Sequence, residues 1–279
     1  AHRQKLANVL QNQRVPVHPR GCSPRAPPVA SAKSLVLSCG SGGDVCSQPV
    51  KVSIIIPVFN EAKTVAALVN KVLALDLDKE LIIINDGSSD GTRAALAPFE
   101  SQPGITVSHS PVNLGKGASV RIGFALAKGD IITIQDADLE LDPTEYYHLI
   151  DPIVRGEADV VYGSRFLGQT LVGGKKGRLA FYLANRGLAV VTNVLYGSSL
   201  TDIETCYKVF RRSALADLRL RASRFEIEPE VTAQILKKGL RILELPIGYN
   251  PRTTSEGKKI SWRDGFAALY TLVDQRFKP

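Results

Sequence analysis

The stretch from Lys51 to Thr92, KVSIIIPVFNEAKTVAALVNKVLALDLDKELIIINDGSSDGT, decides the fold. Its first run, Val52 to Ile56, is apolar, largely β-branched and too short for a helix, so it reads as a buried strand. From Glu61 to Leu75 the spacing changes, with Val65, Leu68, Val69 and Val72 recurring at helical intervals. Leu81 to Ile84 is a second short apolar run. Neither strand alternates apolar with polar residues. Strand, helix and strand of this kind predict a parallel sheet covered on both faces.

The alternation continues outward. The pattern predicts a helix near Gly91–Phe99, a strand at Ile105–His109, a helix over Lys116–Lys128 and a strand at Asp130–Ile134. A helix over Pro143–Val154 and a strand at Ala158–Tyr162 follow. The second half is less regular. Lys176–Tyr196 reads as helix, Tyr207–Phe210 as strand, Glu228–Lys238 as helix and Arg241–Leu245 as strand. An amphipathic helix is expected over residues 260–277, where Trp262, Phe266, Leu269, Tyr270, Val273 and Phe277 share a face. That face suits packing against the domain or anchoring in a lipid interface, with Lys258, Lys259 and Arg263 nearby. In sheets of this class ligands sit beyond the carboxyl ends of the strands, so those loops are where chemistry is sought.

Composition narrows the class. The chain has 279 residues, 44% hydrophobic and 22% charged, which excludes a disordered chain, a collagen and a disulfide-stapled mini-protein. Its formal charge of +8 is uneven. Residues 1–49 hold Arg3, Lys5, Arg14, Arg20, Arg25 and Lys33 against Asp44 alone, so the basic balance argues little for nucleic-acid binding. Six of the sixteen prolines lie in that segment, which reads as a disordered basic extension, a misplaced start or an organelle transit peptide. The expected organisation is this extension, a catalytic domain over 50–250, and a basic loop with an amphipathic helix over 251–279. Cys22, Cys39 and Cys46 lie in the extension and only Cys206 in the body. No zinc site or disulfide framework is therefore expected, and the body suits a reducing compartment. No apolar stretch of about 18 residues is uninterrupted, and no signal-peptide core is seen. The chain has no Met.

Three strand-end loops carry acids. Pro57-Val58-Phe59-Asn60-Glu61 follows the first strand, where Pro57 is expected to stop the ladder and Asn60 to cap the next helix. Asn60 and Glu61 also suit hydrogen bonds to a base or ribose. Asn85-Asp86-Gly87-Ser88-Ser89-Asp90-Gly91-Thr92 follows the second, with Asp86 expected to point into the cleft and Ser89 or Asp90 to cap the next helix. Gln135-Asp136-Ala137-Asp138-Leu139-Glu140 follows Ile131–Ile134. Asp136, Asp138 and Glu140 share a face if strand geometry persists, and such crowding is best relieved by a cation. All-oxygen ligands without His or Cys suit Mg²⁺ or Mn²⁺. Ordinary capped turns and a solvated acidic loop would use the same residue types. Asn113-Leu114-Gly115-Lys116-Gly117-Ala118 lacks Walker spacing but offers helix-terminal N–H groups and the Lys116 charge to a phosphate.

In combination, VSIIIPVFNE, NDGSSDGT and QDADLE resemble a family 2 glycosyltransferase of GT-A fold, a Rossmann-like, mostly parallel α/β sheet with helices on both faces. VVYGSRF (160–166), LTDIETCYKVFR (200–211), RFEIEPE (224–230) and YNPRTTSEGKKISWRDG (249–265) resemble its polyprenyl-phosphate branch, close to dolichyl-phosphate mannose synthases. The resemblance covers about residues 50–277.

It implies an inverting transfer of a hexose from a nucleotide-diphosphate sugar to a polyprenyl monophosphate, at the cytoplasmic face of a membrane. Pro57, Asn60, Glu61 and Asp86 would hold the nucleotide. Asp136 and Asp138 would meet metal and donor diphosphate, with Glu140 as a third metal-side position. Arg165 would face the reacting phosphates, Arg252 and Lys258 would close over donor or acceptor, and Asn185 and Asn193 would lie in the acceptor region. A saccharide or protein hydroxyl acceptor is the alternative, needing Asp202 or Glu204 as base. A non-catalytic nucleotide-sugar binder is another.

Overall fold

A computed structural model describes residues 50–167, 176–252 and 262–278. The basic extension, Lys258 and the side chain of Trp262 lie outside the described residues. Seven strands form one sheet in the order β3-β2-β1-β4-β6-β5-β7. They are β1 (Val52–Val58), β2 (Lys79–Asp86), β3 (Ile105–Ser110), β4 (Ile131–Ile134), β5 (Val160–Ser164), β6 (Lys208–Arg211) and β7 (Ile242–Pro246). The helices are α1 (Val65–Leu73), α2 (Thr92–Leu96), α3 (Lys116–Leu126), α4 (Tyr146–Val154), α5 (Lys176–Tyr196), α6 (Arg212–Leu215), α7 (Ile227–Lys237) and α8 (Trp262–Phe277). Pairing is parallel except at β6, which runs antiparallel to both β4 and β5.

The expectation of a sheet covered on both faces is met residue by residue. Ile54 and Ile56 enter one buried cluster with Leu81 and Ile83, while Ile55 enters another with Ile82, Ile84 and Ile132. Successive side chains leave opposite faces of a strand, so an unbroken apolar run fills two cores at once.

Pro57 does not stop the ladder. β1 continues through Pro57 opposite Ile84 to Val58 opposite Asn85. The Ile55 carbonyl accepts from the Gln135 N–H at 2.8 Å, so odd-numbered residues of β1 turn their polar groups toward β4. β4 itself ends at Ile134. The N–H that Pro57 lacks therefore falls on a side with no strand left to pair.

The last helix joins the same core. Ala268 and Leu272 are buried, Tyr196 Oη donates to the Leu272 carbonyl at 2.6 Å, and Gln275 Nε2 donates to Glu230 Oε1 at 3.3 Å. In the face read as one stripe, Phe266, Leu269, Tyr270, Val273 and Phe277 are exposed, while Ala268 and Leu272, outside it, face the core. Leu183, Val190 and Val194 of α5, which packs against α8, are also exposed. Among the described residues no helix is long and apolar enough to cross a membrane.

Candidate active site

The loops after β1, β2 and β4 meet in a cavity of about 310 Å³, whose walls include Pro57, Glu61, Asp86, Lys116, Asp136, Asp138, Glu140, Arg165 and Arg252. Sequence-distant residues meet because β1, β2 and β4 are neighbours with their carboxyl ends at the same edge.

Asn60 joins the first two loops rather than capping α1. It adopts a left-handed φ of 52°, its N–H donates to Ser88 Oγ at 2.9 Å, and its Oδ1 accepts from the Ser89 N–H at 2.8 Å. Asn tolerates that backbone region, which the sharp exit from the strand requires. The side chain is thereby committed to the neighbouring loop, and Asn60 is not among the cavity-lining residues. The N-cap of α2 is Gly91, not Ser89 or Asp90, although Asp90 Oδ1 accepts from the first helical N–H, that of Thr92, at 2.9 Å.

Asp86 reaches the cleft wall already bonded. Oδ1 accepts from the Leu114 N–H at 2.7 Å and Oδ2 from the Gly115 N–H at 2.8 Å. It therefore fixes the loop before α3. Two glycines allow this approach. Gly87 (φ 64°) lies against the backbone of Val112 and Asn113, and Gly115 (φ 95°) against Ser223, so a Cβ at either would collide with main chain.

The acidic loop leaves strand geometry after Ile134, and Leu139 turns left-handed at φ 61°. Asp136, Asp138 and Glu140 still line one cavity, but through a turn and not along a strand face. Each meets a cation of the chain. Lys116 Nζ lies 2.9 Å from Asp136 Oδ1. Arg252 Nη2 donates to Asp138 Oδ2 at 3.0 Å, and the Arg252 N–H donates to Glu140 Oε1 at 3.0 Å. The same guanidinium donates to Glu61 Oε2 and Oε1 at 3.0 and 3.1 Å, linking the first and third loops. Burial would raise the Asp136 carboxyl, but the Lys116 charge holds it below the usual range. Burial, with Asp136 and Glu140 close by, pushes Asp138 up to about 6. Among the described residues no group of three or more His, Cys, Asp or Glu is placed to hold a metal ion. The expected acidic triplet is thus not a three-acid cage.

Arg165 is firmly held. Its Nε and Nη2 donate to Asp202 Oδ2 and Oδ1, both at 2.8 Å, and its N–H donates to Oδ2 at 3.0 Å. The guanidinium carbon stands 5.3 Å from the Tyr249 ring centre. Asn185 Nδ2 donates to Asp202 Oδ1 at 3.0 Å. Asn185 therefore supports the Arg165–Asp202 pair and does not itself line the cavity. Asn193 closes the turn after α5, donating to the Leu200 carbonyl and accepting from the Leu200 N–H and Ser198 Oγ. Burial works against the Asp202 carboxylate, yet Arg165 holds it below the ordinary range, which removes it as a base near neutral pH.

A buried chain of charges runs behind the cleft. Lys116 Nζ lies 3.2 Å from Glu228 Oε1, and the opposite oxygen of Glu228 accepts from Lys208 Nζ at 2.6 Å. Lys208, fully buried, also donates to the carbonyls of Ile203 and Thr205. Sequence reading assigned roles to neither Lys208 nor Glu228. The one available signal was a pair of ionisable residues inside the apolar patterns of β6 and α7.

Comparison with known proteins gives this arrangement a family. Residues 53–219 match glycosyl transferase family 2. A low-salt glycan biosynthesis hexosyltransferase, Agl6 of Haloferax volcanii, is 29% identical over 77% of this chain and 51% of its own length. The dolichol-phosphate mannosyltransferase of Pyrococcus furiosus is 27% identical over 75% and 59% of the respective chains. The UDP-N-acetylglucosamine–dolichyl-phosphate N-acetylglucosaminyltransferase of Methanococcus voltae is 29% identical over 79% and 94%. The chain thus spans about half the length of the first of these relatives and nearly all of the third. Among solved structures, glucosyl-3-phosphoglycerate synthase of Mycobacterium tuberculosis, with Mn²⁺, UDP and glucosyl-3-phosphoglycerate, superposes with a TM-score of 0.63 at 20% identity, covering 82% of this chain and 81% of that one. The shared sheet, the matched segment and the acidic strand-end loops lead to one assignment: the chain belongs to glycosyl transferase family 2 and has its GT-A fold.

Proposed function

We propose that this protein transfers a hexose, with inversion, from a nucleotide-diphosphate sugar to a polyprenyl monophosphate. The observation that carries the reading is the cleft at the carboxyl edge of β1, β2 and β4, where Asp136 and Asp138 face Lys116, Arg252 and Arg165. Such a cleft offers phosphates on both substrates fixed positive charge. The names of the Pyrococcus and Methanococcus relatives support a dolichyl-type acceptor.

The residues divide the work. Pro57, Glu61 and Asp86 shape the nucleotide side, with Asp86 acting through the loop it fixes. Arg165, pre-set by Asp202, holds the acceptor phosphate, joined by Arg252 and Lys258. The acceptor oxygen bonds to the anomeric carbon as the bond to the nucleoside diphosphate breaks, and the electron pair leaves with that diphosphate. A phosphate monoester has a second pKa of roughly 6, so it is largely dianionic near neutrality and needs positioning more than a base.

Asp136 and Asp138, with Glu140 beside them, would hold a divalent cation, Mg²⁺ or Mn²⁺. The fit rests on their hard oxygen donors and on the crowding that lifts Asp138, a repulsion that a cation relieves. Such ions need only one or two carboxylates when phosphates supply further oxygens, so a three-acid cage is unnecessary. When bound, the ion would neutralise charge developing on the leaving diphosphate.

The exposed apolar residues of α5 and α8 form the surface we assign to the membrane, at its cytoplasmic face. A second reading, transfer to a hydroxyl, is favoured by Glu204, which lines the cleft and titrates near neutral pH. The test is transfer of radiolabelled sugar, scanned across nucleotide sugars, to farnesyl phosphate and to farnesol. Labelling of the phosphate alone supports the proposal. Equal use of the alcohol transfers the assignment to the hydroxyl reading.

A further inference from the structure

Among the described wall residues, Glu204 combines firmly built surroundings with a carboxyl oxygen, Oε1, that nothing engages. The backbone around it is fixed from several sides. Glu244 accepts from the N–H groups of Thr201 and Asp202 at 2.7 and 2.9 Å, and Thr205 Oγ1 donates to the Gly163 carbonyl at 2.7 Å. Lys208 binds the carbonyls on either side, those of Ile203 and Thr205. Between these anchors the Glu204 side chain lines the cleft beside Arg165, and its Oε1 is buried with no hydrogen-bond partner among the described residues. A buried carboxylate oxygen left unpaired is costly, so such a group is expected to have a ligand when the site is filled.

The charge balance indicates which ligand. On the Glu204 side of the cleft stand Arg165 and Lys116 in the wall and Lys208 behind it, with Arg224 and Arg252 also in the wall. Arg165, Lys208 and Lys116 are already matched by Asp202, Glu228 and Asp136, and Arg252 by Glu61, Asp138 and Glu140. Glu204 is a further carboxyl. Burial pushes it up to about 7, and the opposing pull of Lys208 and Arg165 is offset by Glu228 and Asp202. Holding a proton, it presents an O–H donor to the cleft without adding negative charge.

We propose that Glu204 is an anion-binding residue of the cleft, donating its carboxyl proton in a hydrogen bond to an oxygen of the phosphate group that enters beside Arg165. The inference rests on the transferase reading above and assigns to that site a residue whose proton is part of phosphate recognition. Phosphate could come from the lipid acceptor or the nucleoside diphosphate, and the experiment separates them. The geometry also sets the sign. Above its titration point Glu204 becomes an anion facing an anion, so affinity falls as pH rises.

The full chain is titrated by calorimetry in buffers of different protonation enthalpy. The probes are farnesyl phosphate in one arm and UDP or GDP with Mn²⁺ in the other. In the arm that contacts Glu204, binding near pH 8 takes up close to one proton, and affinity falls about eightfold from about pH 7.5 to about pH 8.5. Glu204→Gln keeps a neutral N–H donor of the same shape, so it should bind as tightly as wild type at low pH, lose the uptake and vary less than twofold. Uptake by the wild type is an independent reading if the variant folds poorly. The proposal is overturned if neither arm shows proton uptake, if uptake survives in Glu204→Gln, or if affinity rises with pH. It is also overturned if Glu204→Gln keeps the wild-type pH dependence of farnesyl phosphate binding yet abolishes a transfer to farnesol that the wild type performs, the pattern of a base. Failure of the acceptor reading looks different: farnesyl phosphate neither binds nor accepts sugar, while the uptake is read from the nucleoside diphosphate arm.

Discussion

Asp202→Asn isolates the Arg165 anchor. The carboxylate is fully buried and accepts four hydrogen bonds, three from Arg165 and one from Asn185. An amide of the same shape leaves a buried guanidinium without its counter-charge and points an N–H₂ at a donor. Breaking one partner of a buried pair typically costs about 3–5 kcal/mol. In a domain of this size that corresponds to a melting shift of roughly 6–15 °C downward. Arg165→Met alone should cost a similar amount, since it strands the carboxylate. The double variant should cost clearly less than the sum, because both charges leave together. The pH dependence has a definite sign. Arg165 depresses the folded Asp202 pKa against the opposing effect of burial, so the stabilisation is present above the unfolded carboxylate value and is lost as pH falls through the folded one. Calorimetric or fluorescence melts of the four proteins near pH 7 and near pH 4 supply the test. Additive single-variant effects, or a shift under about 2 °C for Asp202→Asn, would refute the idea that this pair sets Arg165 in place.

Three further outcomes are expected. Asp138→Asn removes a carboxyl whose pKa is raised in the fold, a penalty complete above about pH 6. Metal-free melts near pH 8 should therefore rise by a few degrees, on the scale of about 1–3 kcal/mol, while sugar transfer is lost; a lowered melting point contradicts the crowding argument. Arg252→Met frees Asp138 and Glu140 from their present cation, so Mn²⁺ should bind the nucleotide-free protein roughly three- to tenfold tighter by calorimetry; unchanged or weaker binding would show that Arg252 and the ion do not compete. Phe266→Ser with Tyr270→Ser alters side chains that are 66% and 71% exposed, so the fold should melt normally while co-sedimentation with anionic vesicles drops; undiminished vesicle binding would remove this helix from the membrane surface.

The apolar pattern alone predicts the sheet and where to look for chemistry. Val52–Ile56 and Leu81–Ile84 are unbroken β-branched runs, and only strands buried on both faces suit them, so β1, β2 and their parallel pairing were legible. The strand-end rule then brought out Glu61, Asp86, Asp136 and Asp138, all of which line one cavity. Tertiary structure decided what each polar group touches. Asn60 had a cap-like position, but Ser88 and Ser89 claim it because β1 and β2 lie side by side. Asp202 and Glu204 were equivalent as candidate bases two residues apart. A guanidinium arriving from 37 residues away removes the first, and burial, which the nearby cations only partly oppose, pushes the second up to about 7. Arg252 reaches Glu61 across 191 residues, and Lys208 meets Glu228 between β6 and α7. Periodicity records which face of an element is apolar. It carries no information on which buried charge stands opposite another, since that distance is fixed only when non-adjacent strands and helices close around the same core.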